Sequence, residues 1–572
     1  WGPTKLISMV TGFELDHSLA FNLSLSSLVA IQLGIVALIG SISRIISTKK
    51  VGTFEMITLP VLLFGIGLHL WSIMPGQPAQ VVFPSLGAGW SVALDSLRVP
   101  KTALIGQGTE GYLSAFSRYR PSALNTSQYW QLRFDSALGA PLTMLVQMGF
   151  LGLISWLFLS GRFVKNALKK SSWKSSPLTW MLLATFVIQF FLPANILLVG
   201  LQGLFLAFWV AQFSDQWPVL KLRALSASLD SKEQLVTASK EKNQAEKFIS
   251  LITNGVLIAG VMLIGFFVSQ AFLSFHQLYL SEKALLKNDA VGVYEKRQRA
   301  VVLNPYLDSL RRNYALTNLQ IAIALSEKTD LTEDEQTQIG QLVQQAVREA
   351  QAATTIDPQD TQNWAVLAQV YQQLIGSVEE ADQWAVNAYV SAIQTDPTNP
   401  LLRVQLGSVL LQQQQLQQAA NLFSQAIELK PDLASGYFYL GQTQQLAQDY
   451  IGAQRSWQQA LALVEPGTDD YQTLEKMLEE IKPLAEQAQA ALDAQAQQQA
   501  TSNNTTSGTI PSDGTSDASP LGQQLPSLTD QNIESRENIV SQPETVDLDL
   551  PEQNAGLINQ ESAEEPTITE QT

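Results

Sequence analysis

The most constraining feature of the sequence is an uncharged stretch: residues 178–213 contain no Asp, Glu, Lys or Arg. This stretch fits either two bilayer spans joined at Pro193-Ala194-Asn195 or one helical hairpin buried in a core. Other apolar runs near the roughly 20 residues that a bilayer requires favour the first interpretation. The six predicted spans are 23–42, 54–73, 141–160, 178–192, 196–213 and 248–272.

Basic residues predict the orientation of these spans. Lys and Arg are concentrated in the connections 43–53, 161–177 and 214–247, which fall on one side if all six spans exist. Short cytoplasmic loops carry such an excess, so we expect 214–247 to be a cytoplasmic basic loop. The loop 74–140 and everything after residue 272 then lie outside the cytoplasm. The sequence therefore predicts a multi-pass protein of the cell (inner or cytoplasmic) membrane, with the lipid bilayer as a partner.

Residues 273–495 have a different pattern, in which prolines recur with a regular period. Pro397, Pro431 and Pro466 stand 34 and 35 residues apart, and small and aromatic residues recur between them. This pattern resembles the tetratricopeptide (TPR) repeat, a helix pair that stacks into a solenoid. The predicted packing positions are Trp364, Tyr371, Leu406, Gly407, Ala419, Phe423, Ala426, Tyr437, Gly441, Ala453, Trp457 and Ala460.

The same region predicts further helices at its two ends. A helix is expected around 290–300, a helix pair over 305–358 with its turn at 326–335, and a capping helix over 471–494. A TPR array binds protein partners and does not itself catalyse a reaction. Its concave surface is expected to be rich in Gln, as at 412–415, which suits a polar peptide or a glycan.

Composition excludes several classes of site. The 572 residues include no Cys and three His, with a net charge of -16. Disulfides, thiolate chemistry and His- or Cys-built metal sites are therefore not expected, and no cofactor or metal is predicted. The acidic balance argues against nucleic acid as a partner.

The two ends of the chain carry separate expectations. Residues 501–572 hold 13 acidic residues and one basic residue, so we predict a disordered, acidic, extracytoplasmic tail over 496–572. The chain begins with Trp1 instead of Met, from which we expect an upstream part to be missing. The predicted fold class is all-α: a polytopic membrane domain over 1–272, a TPR α-solenoid over 273–495, and the tail.

The external loop 74–140 carries the residues that could do chemistry. Pro100 is followed by a G-x-G at Gly106 and Gly108 and by the aromatic Phe116, and arginines come after it. Gly106, Gly108 and Gly111 match the G-x-G-x-x-G motif of dinucleotide-binding proteins. We do not expect a dinucleotide site here, because no strand is predicted before the motif and the loop is predicted to lie outside the cytoplasm.

This order of residues resembles the external loop of the O-antigen ligase/polymerase family over roughly residues 20–215. Gly149 and Gly152 match the "G-x-x-G" of the span that follows the loop in that family. The resemblance implies a multi-pass glycosyltransferase that moves an undecaprenyl-pyrophosphate-linked glycan to an acceptor. One departure is that Leu138 and Gly139 stand where many of these ligases have a His-Asn pair.

Candidate site residues follow from the chemistry of such a transfer. A departing pyrophosphate requires cations, so Arg133, Arg118 and Arg120 are catalytic candidates. Asp135 or Glu110 could serve as a base, and the candidate substrate-binding residues are Lys101, Gly106 and Gly108. The alternatives are structural: Asp135 as a salt-bridge partner of Arg133 or a helix cap, and the two glycines as turn formers.

Three functions remain open from the sequence. The first is the glycan polymerase or ligase, with TPR repeats that gather partners. The second is a non-catalytic, membrane-anchored TPR scaffold for cell-envelope assembly. A transporter is a weaker third interpretation, because Glu55 and His69 are the only ionisable side chains within the predicted spans and both lie near span ends.

Overall fold

The structure is a computed structural model that describes residues 27–74, 76–77, 82–108, 111–169, 176–193, 195–212, 237–328 and 330–505. Within these ranges every regular element is a helix, which confirms the all-α prediction. The first eight helices are α1 (Ser27–Thr48), α2 (Thr53–Ser72), α3 (Leu86–Ser96), α4 (Pro100–Ile105), α5 (Gly111–Tyr119), α6 (Ala140–Lys169), α7 (Pro177–Phe191) and α8 (Ile196–Gln212).

The remaining helices run from the last predicted span through the repeat region. They are α9 (Thr237–Leu285), α10 (Ala290–Leu303), α11 (Asp308–Ser326), α12 (Glu333–Ile356), α13 (Thr361–Gln373), α14 (Ala381–Thr395), α15 (Pro400–Gln412), α16 (Leu416–Leu429), α17 (Ala434–Leu446), α18 (Tyr450–Leu463) and α19 (Asp469–Thr505). Residues 506–572, which hold most of the predicted acidic tail, lie outside the described residues.

Helices occupy all six places where spans are predicted. In the described ranges, α1, α2, most of α6 and the segment Ile258–Leu285 are long and apolar enough to cross a bilayer, whereas α7 and α8 are shorter apolar helices. The predicted hairpin between α7 and α8 is fixed by polar contacts, since the Gln32 side chain of α1 donates to the Pro193 carbonyl (3.1 Å). That these helices lie in a membrane stays a prediction, because length and composition are its only basis.

The loop between α2 and α6 folds onto the first part of α6. Helices α3 and α5 bury Val92, Tyr112 and Phe116 against Val146 of α6. Helix α6 is broken at Gly149, whose backbone has φ 64° and ψ -165°. The break divides α6 into a first segment that supports the loop and a second, apolar segment.

Helix α9 starts earlier than the predicted span. The basic loop was predicted to reach residue 247, but residues 237–247 are helical because Ala, Lys, Glu and Gln there favour helix. At its other end α9 continues without interruption into the repeat region. There α10 packs back against it, with Leu278 and Ala300 in one buried cluster.

The repeat region has the packing that the TPR pattern predicts. A Cβ atom at Gly407 would lie 2.6 Å from the Phe423 ring, and one at Gly441 would lie 2.5 Å from the Trp457 ring. In both repeats, 34 residues apart, the missing side chain lets the aromatic ring of the second helix reach the first. All of the predicted packing positions on α16 and α18 are fully buried: Ala419, Phe423, Ala426, Ala453, Trp457 and Ala460.

The remaining packing positions and the flanking helices also agree. Tyr371 and Leu406 are buried, while Trp364 and Tyr437 are partly buried at the joins between repeats. Helices α11 and α12 form the predicted pair, with their turn at the expected place. The capping helix α19 begins two residues earlier than predicted and extends to Thr505.

Candidate functional site

The loop and the repeat region meet in one interface, which we call the docking interface. From the loop it includes α5 and the segment 120–133, and from the repeats it includes the turns that precede each new helix pair, at Asp396–Thr398 and at Lys430. These turns lie at one edge of the array. The repeats therefore contact the loop through that edge of the array.

A buried carboxylate paired with two arginines forms the centre of the docking interface. Asp396 is fully buried, and its two carboxylate oxygens lie 3.4 Å from Arg120 Nε and 2.6 Å from Arg133 Nη2. The Arg120 side chain is 1% exposed, and Arg120 also donates to Thr398 Oγ1 (2.9 Å) and to the Trp130 carbonyl (2.7 Å). Two of the three predicted catalytic arginines thus bind an anion that belongs to the protein itself.

A second set of contacts lies one repeat further along. Lys430 donates to the Asn125 carbonyl (2.9 Å), and its ammonium lies 4.8 Å from the centre of the Trp130 ring. The Asn125 side chain donates in turn to the carbonyls of Thr398 (2.8 Å) and Leu429 (3.2 Å). The charge-assisted bond from Lys430 and the two amide bonds from Asn125 together fix the loop against two consecutive repeats.

Burial determines the electrostatics of this interface. It lowers the pKa of Arg120, and the charge of Asp396 partly offsets that effect. The pKa of Arg403 is lowered by burial in the same way and raised again by Asp396. Because two arginines pair with Asp396 and a third, Arg403, interacts electrostatically with the same carboxylate, positive charge exceeds negative charge around Asp396.

The other predicted catalytic residues lie apart from this pair. Arg118 is exposed and donates to the Gln359 side chain (3.3 Å), while the exposed Asp135 accepts a bond from Ser136 (2.9 Å). Arg133 binds Asp396, so the considered salt bridge between Arg133 and Asp135 is replaced by a contact to the array. Glu110 lies outside the described residues.

Asp135 nevertheless acts on a buried neighbour. Burial raises the pKa of Tyr112, and the charge of Asp135 raises it further. That phenol therefore stays protonated over the physiological range. The catalytic role of Asp135, like that of the arginines, stays a prediction.

The predicted substrate-binding glycines form a turn. Gly106 (φ 75°) and Gly108 (φ 108°) have backbone angles that glycine alone adopts easily. The amides of Gln107 and Gly108 donate to the carbonyls of Val146 (2.9 Å) and Gln147 (3.0 Å) in α6. Since α6 already uses these two donors, the turn-former interpretation accounts for the glycines. Lys101 is exposed at the start of α4, and its role in substrate binding stays a prediction.

Sequence reasoning missed the array side of the docking interface. Asp396 and Lys430 both stand directly before a proline, 34 residues apart, so they occupy the same position in consecutive repeats. The signal available in the sequence was this recurrence of a charged residue directly before the proline. The structure shows that both residues are buried, at 0% and 5% exposed, which is unusual for charged residues in a turn.

Two of the first helices of the repeats, α13 and α15, carry an amide-rich face. Gln362, Gln369 and Gln373 are exposed on α13 at spacings of seven and four residues, and Gln405 and Gln412 are exposed on α15. Residues at these spacings share one side of a helix. Of the predicted Gln412–Gln415 group, Gln412 ends α15 and the other three form the turn after it.

Comparison with known proteins identifies the repeat. A family model for the TPR repeat matches residues 407–448, which span the end of α15 and all of α16 and α17. The chain therefore carries a TPR repeat. No curated protein matches the chain.

Solved structures of TPR proteins align with 32% to 40% of the chain. The crystal structure of MamA is 16% identical and covers 32% of this chain and 94% of its own, with a TM-score of 0.26. TTC0263, a thermophilic TPR protein of Thermus thermophilus, is 16% identical (36% and 98%, TM-score 0.28). PilW, a type IV pilus biogenesis factor, is 18% identical (40% and 92%, TM-score 0.29).

Proposed function

We propose that the chain is a membrane-anchored scaffold whose TPR array binds a protein partner outside the cytoplasm. The observation that supports this most directly is the docking interface, in which a buried ion pair fixes the array to the loop between α2 and α6. A tethered but mobile array would not require such contacts. The array is held at one position, with its amide-rich face free for a partner.

Exposed apolar surface supports the membrane anchor. On α9 the residues Val261, Met262, Leu263, Ile264 and Phe266 are all at least 55% exposed, so the helix is apolar around its circumference. A helix of this kind is stable only if lipid or another apolar surface covers it. The lipid bilayer provides that cover over the length of the predicted span.

The docking interface also supports the predicted orientation. The loop precedes α6 and the array follows α9, so the predicted spans between them are α6, α7, α8 and α9. An even number of crossings returns the chain to the side from which it started. The contact between Arg133 and Asp396 requires loop and array to share a side, in agreement with the side that the basic loops predict.

The amide-rich face fits a polypeptide in an extended conformation. Each Gln side chain carries both donors and an acceptor, which match the N–H and C=O groups of a peptide backbone. This face carries no cluster of like charge, so the partner is expected to be recognised through its backbone and polar side chains.

One experiment tests the partner and the orientation together. Because the chain has no cysteine, single cysteines at Gln369 and Gln405 can carry a membrane-impermeant photo-crosslinker added to intact cells. We expect both positions to crosslink the same polypeptide, identified by mass spectrometry. The reason is that both side chains lie on the amide-rich face outside the cytoplasm.

Two control positions make the result specific. A cysteine at Val390, exposed on the second helix of its repeat, should react without joining that polypeptide. A cysteine at Lys165, in the predicted cytoplasmic connection, should react only after the cells are permeabilised. Equal crosslinking from Val390 would contradict the binding face, and reaction of Lys165 in intact cells would contradict the orientation.

A glycan polymerase or ligase is a second candidate, supported by one specific contact. The two segments that carry the resemblance to O-antigen ligases touch each other: Gly149 of α6 is packed against the Leu104 carbonyl, two residues before Gly106. Undecaprenyl-pyrophosphate-linked glycan would be the donor, and Arg133 would stabilise the departing pyrophosphate.

A pair of variants separates a catalytic from a docking role of Arg133. If Arg133 contacts the pyrophosphate, Arg133→Ala should lower glycan transfer about 100-fold or more, measured as surface polysaccharide in cells that depend on the chain. Asp396→Asn breaks the same ion pair but keeps the arginine, so it should retain more transfer. Equal losses would assign Arg133 to docking alone, and normal transfer in both variants would reject any role of Arg133 in the transfer.

A further inference from the structure

A small cavity lies on the loop side of the docking interface, and Arg120 of the buried ion pair is part of its lining. Its volume is about 190 Å³, and it is enclosed by the extended segment 82–85 and by parts of 116–134. The walls are mostly aromatic. The aromatic lining residues are Phe83, Phe116, Tyr129, Trp130 and Phe134.

One nitrogen of a charged group in the cavity wall lacks an acceptor among the described residues. Arg120 uses Nε and Nη1 in bonds to Thr398 and Trp130, but its buried Nη2 has no acceptor there. Buried guanidinium groups are almost always fully hydrogen-bonded, because an unpaired charged donor in a dry site is costly. The unpaired Nη2 is therefore the atom of this wall for which a further acceptor would be most favourable.

The local charge favours an anionic acceptor. The charged groups around the cavity are Arg120, Arg133, Arg403 and Lys430 on the positive side, against Asp396 and the exposed Asp432 on the negative side. Cations remain in excess after all of these pairs are formed. A carboxylate bound to Arg120 would reduce that excess and would make a strong, charge-assisted hydrogen bond.

The size and the walls favour a single apolar ring. A cavity of about 150 Å³ with apolar walls binds benzene, so the present volume accommodates one ring with a short substituent. A sugar ring fits less well, since the Ser85 hydroxyl already accepts from Ala88 and the Ser127 hydroxyl already donates to Leu124. Most hydroxyls of a buried sugar would lose their hydrogen bonds to water without replacement.

We propose that this cavity binds the C-terminal residue of a partner polypeptide, an aromatic residue whose α-carboxylate pairs with Arg120. The ring of this residue fills the aromatic cavity, and its carboxylate accepts a hydrogen bond from Arg120 Nη2. This site rests on the proposed scaffold function, because a partner held on the amide-rich face supplies the peptide. According to this proposal, the partner is recognised by the loop as well as by the array, and the loop binds its C-terminus.

The test uses the full chain in detergent micelles and two small probes. N-acetyl-phenylalanine carries the ring and the free carboxylate, whereas its amide has the same ring without the charge. By calorimetry we expect the acid to bind at least about tenfold more tightly than the amide, the loss expected for one charge-assisted hydrogen bond. The comparison leaves Arg120 unchanged, so it does not depend on a variant that could fail to fold.

A cavity-filling variant locates the site. Leu132 lines the cavity and is 42% exposed at its edge, so Leu132→Trp should abolish binding of the acid without removing any charge. The matched control is Leu446→Trp, at a similarly exposed leucine of α17, which should bind as the unchanged protein does.

Four outcomes would overturn the proposal. Equal affinity for the acid and the amide would show that the carboxylate does not contribute to binding. Full binding by Leu132→Trp would show that the ligand does not bind in this cavity. Tighter binding of glucuronate would show that the cavity prefers a sugar ring to an aromatic ring. Equal binding of 3-phenylpropionate would show that the peptide unit of the ligand is not recognised. None of these results changes the crosslinking expected at α13 and α15, so the two proposals fail separately.

Discussion

Replacing Asp396 by asparagine is expected to weaken the docking of the loop onto the array by about 3–5 kcal/mol. The carboxylate is fully buried between Arg120 and Arg133, so its removal leaves the buried guanidinium of Arg120 without an anion. Breaking a buried pair from one side costs more than the pair itself contributes, because the remaining charge is not solvated.

Hydrogen exchange measures this effect in the intact chain. The amides of α5 and of the segment 120–133 should lose protection in Asp396→Asn, while those of α13 and α15 keep it. The control is Asp432→Asn, which removes a 59% exposed carboxylate from Lys430 at the same edge and should cost about 1 kcal/mol or less. Unchanged protection of the loop in Asp396→Asn would mean that the ion pair does not hold the interface.

The TPR packing could be predicted because it depends on short-range pattern. Gly407 and Phe423 belong to one helix pair, and the small and the aromatic residue recur one period later at Gly441 and Trp457. This pairing of a small and an aromatic residue recurs in successive repeats, and each occurrence strengthens the prediction made from the others. The helix pairs therefore followed from spacing alone.

The docking interface could not be predicted in the same way. Arg133 and Asp396 are 263 residues apart, and nothing local to either residue specifies the other. An arginine in an external loop predicts that an anion binds nearby, and the resemblance to a glycan transferase pointed to a substrate as that anion. In the structure the anion is a carboxylate of the chain itself. Arg133 therefore binds an anion as expected, and the contact holds the loop to the array.

The turn at Gly106 and the break in α6 lie between these two cases. Gly149 and Gly152 were recognised through a family resemblance, but the sequence does not indicate which of the two interrupts the helix. The structure distinguishes them by backbone angle, since Gly149 has a positive φ and Gly152 lies within regular helix. A glycine in a helix is often tolerated without any special conformation, so its presence alone predicted neither the break nor its contact.

Gly149→Val is expected to remove most of the folded protein, with a loss of about 2–6 kcal/mol. At φ 64° and ψ -165° the backbone occupies a region that is accessible almost exclusively to glycine, and a residue forced into it is strained by about 1–3 kcal/mol. A Cβ atom would also lie 2.5 Å from the Leu104 carbonyl, so α4 would have to move away from α6, at a further cost of about 1–3 kcal/mol.

Gly161→Val is the matched control, because Gly161 lies in the same helix and a Cβ atom there meets nothing within 4 Å. Size-exclusion chromatography and thermal unfolding in detergent should show a monodisperse protein for Gly161→Val and aggregation or loss for Gly149→Val. Normal folding of Gly149→Val would mean that α6 is continuous in solution. The turn at Gly106 would then lose the two carbonyls that receive its amides, and the loop would be held mainly by the array. In that case Asp396→Asn should release the loop completely, so the two variants together determine which of the loop's two supports is dominant.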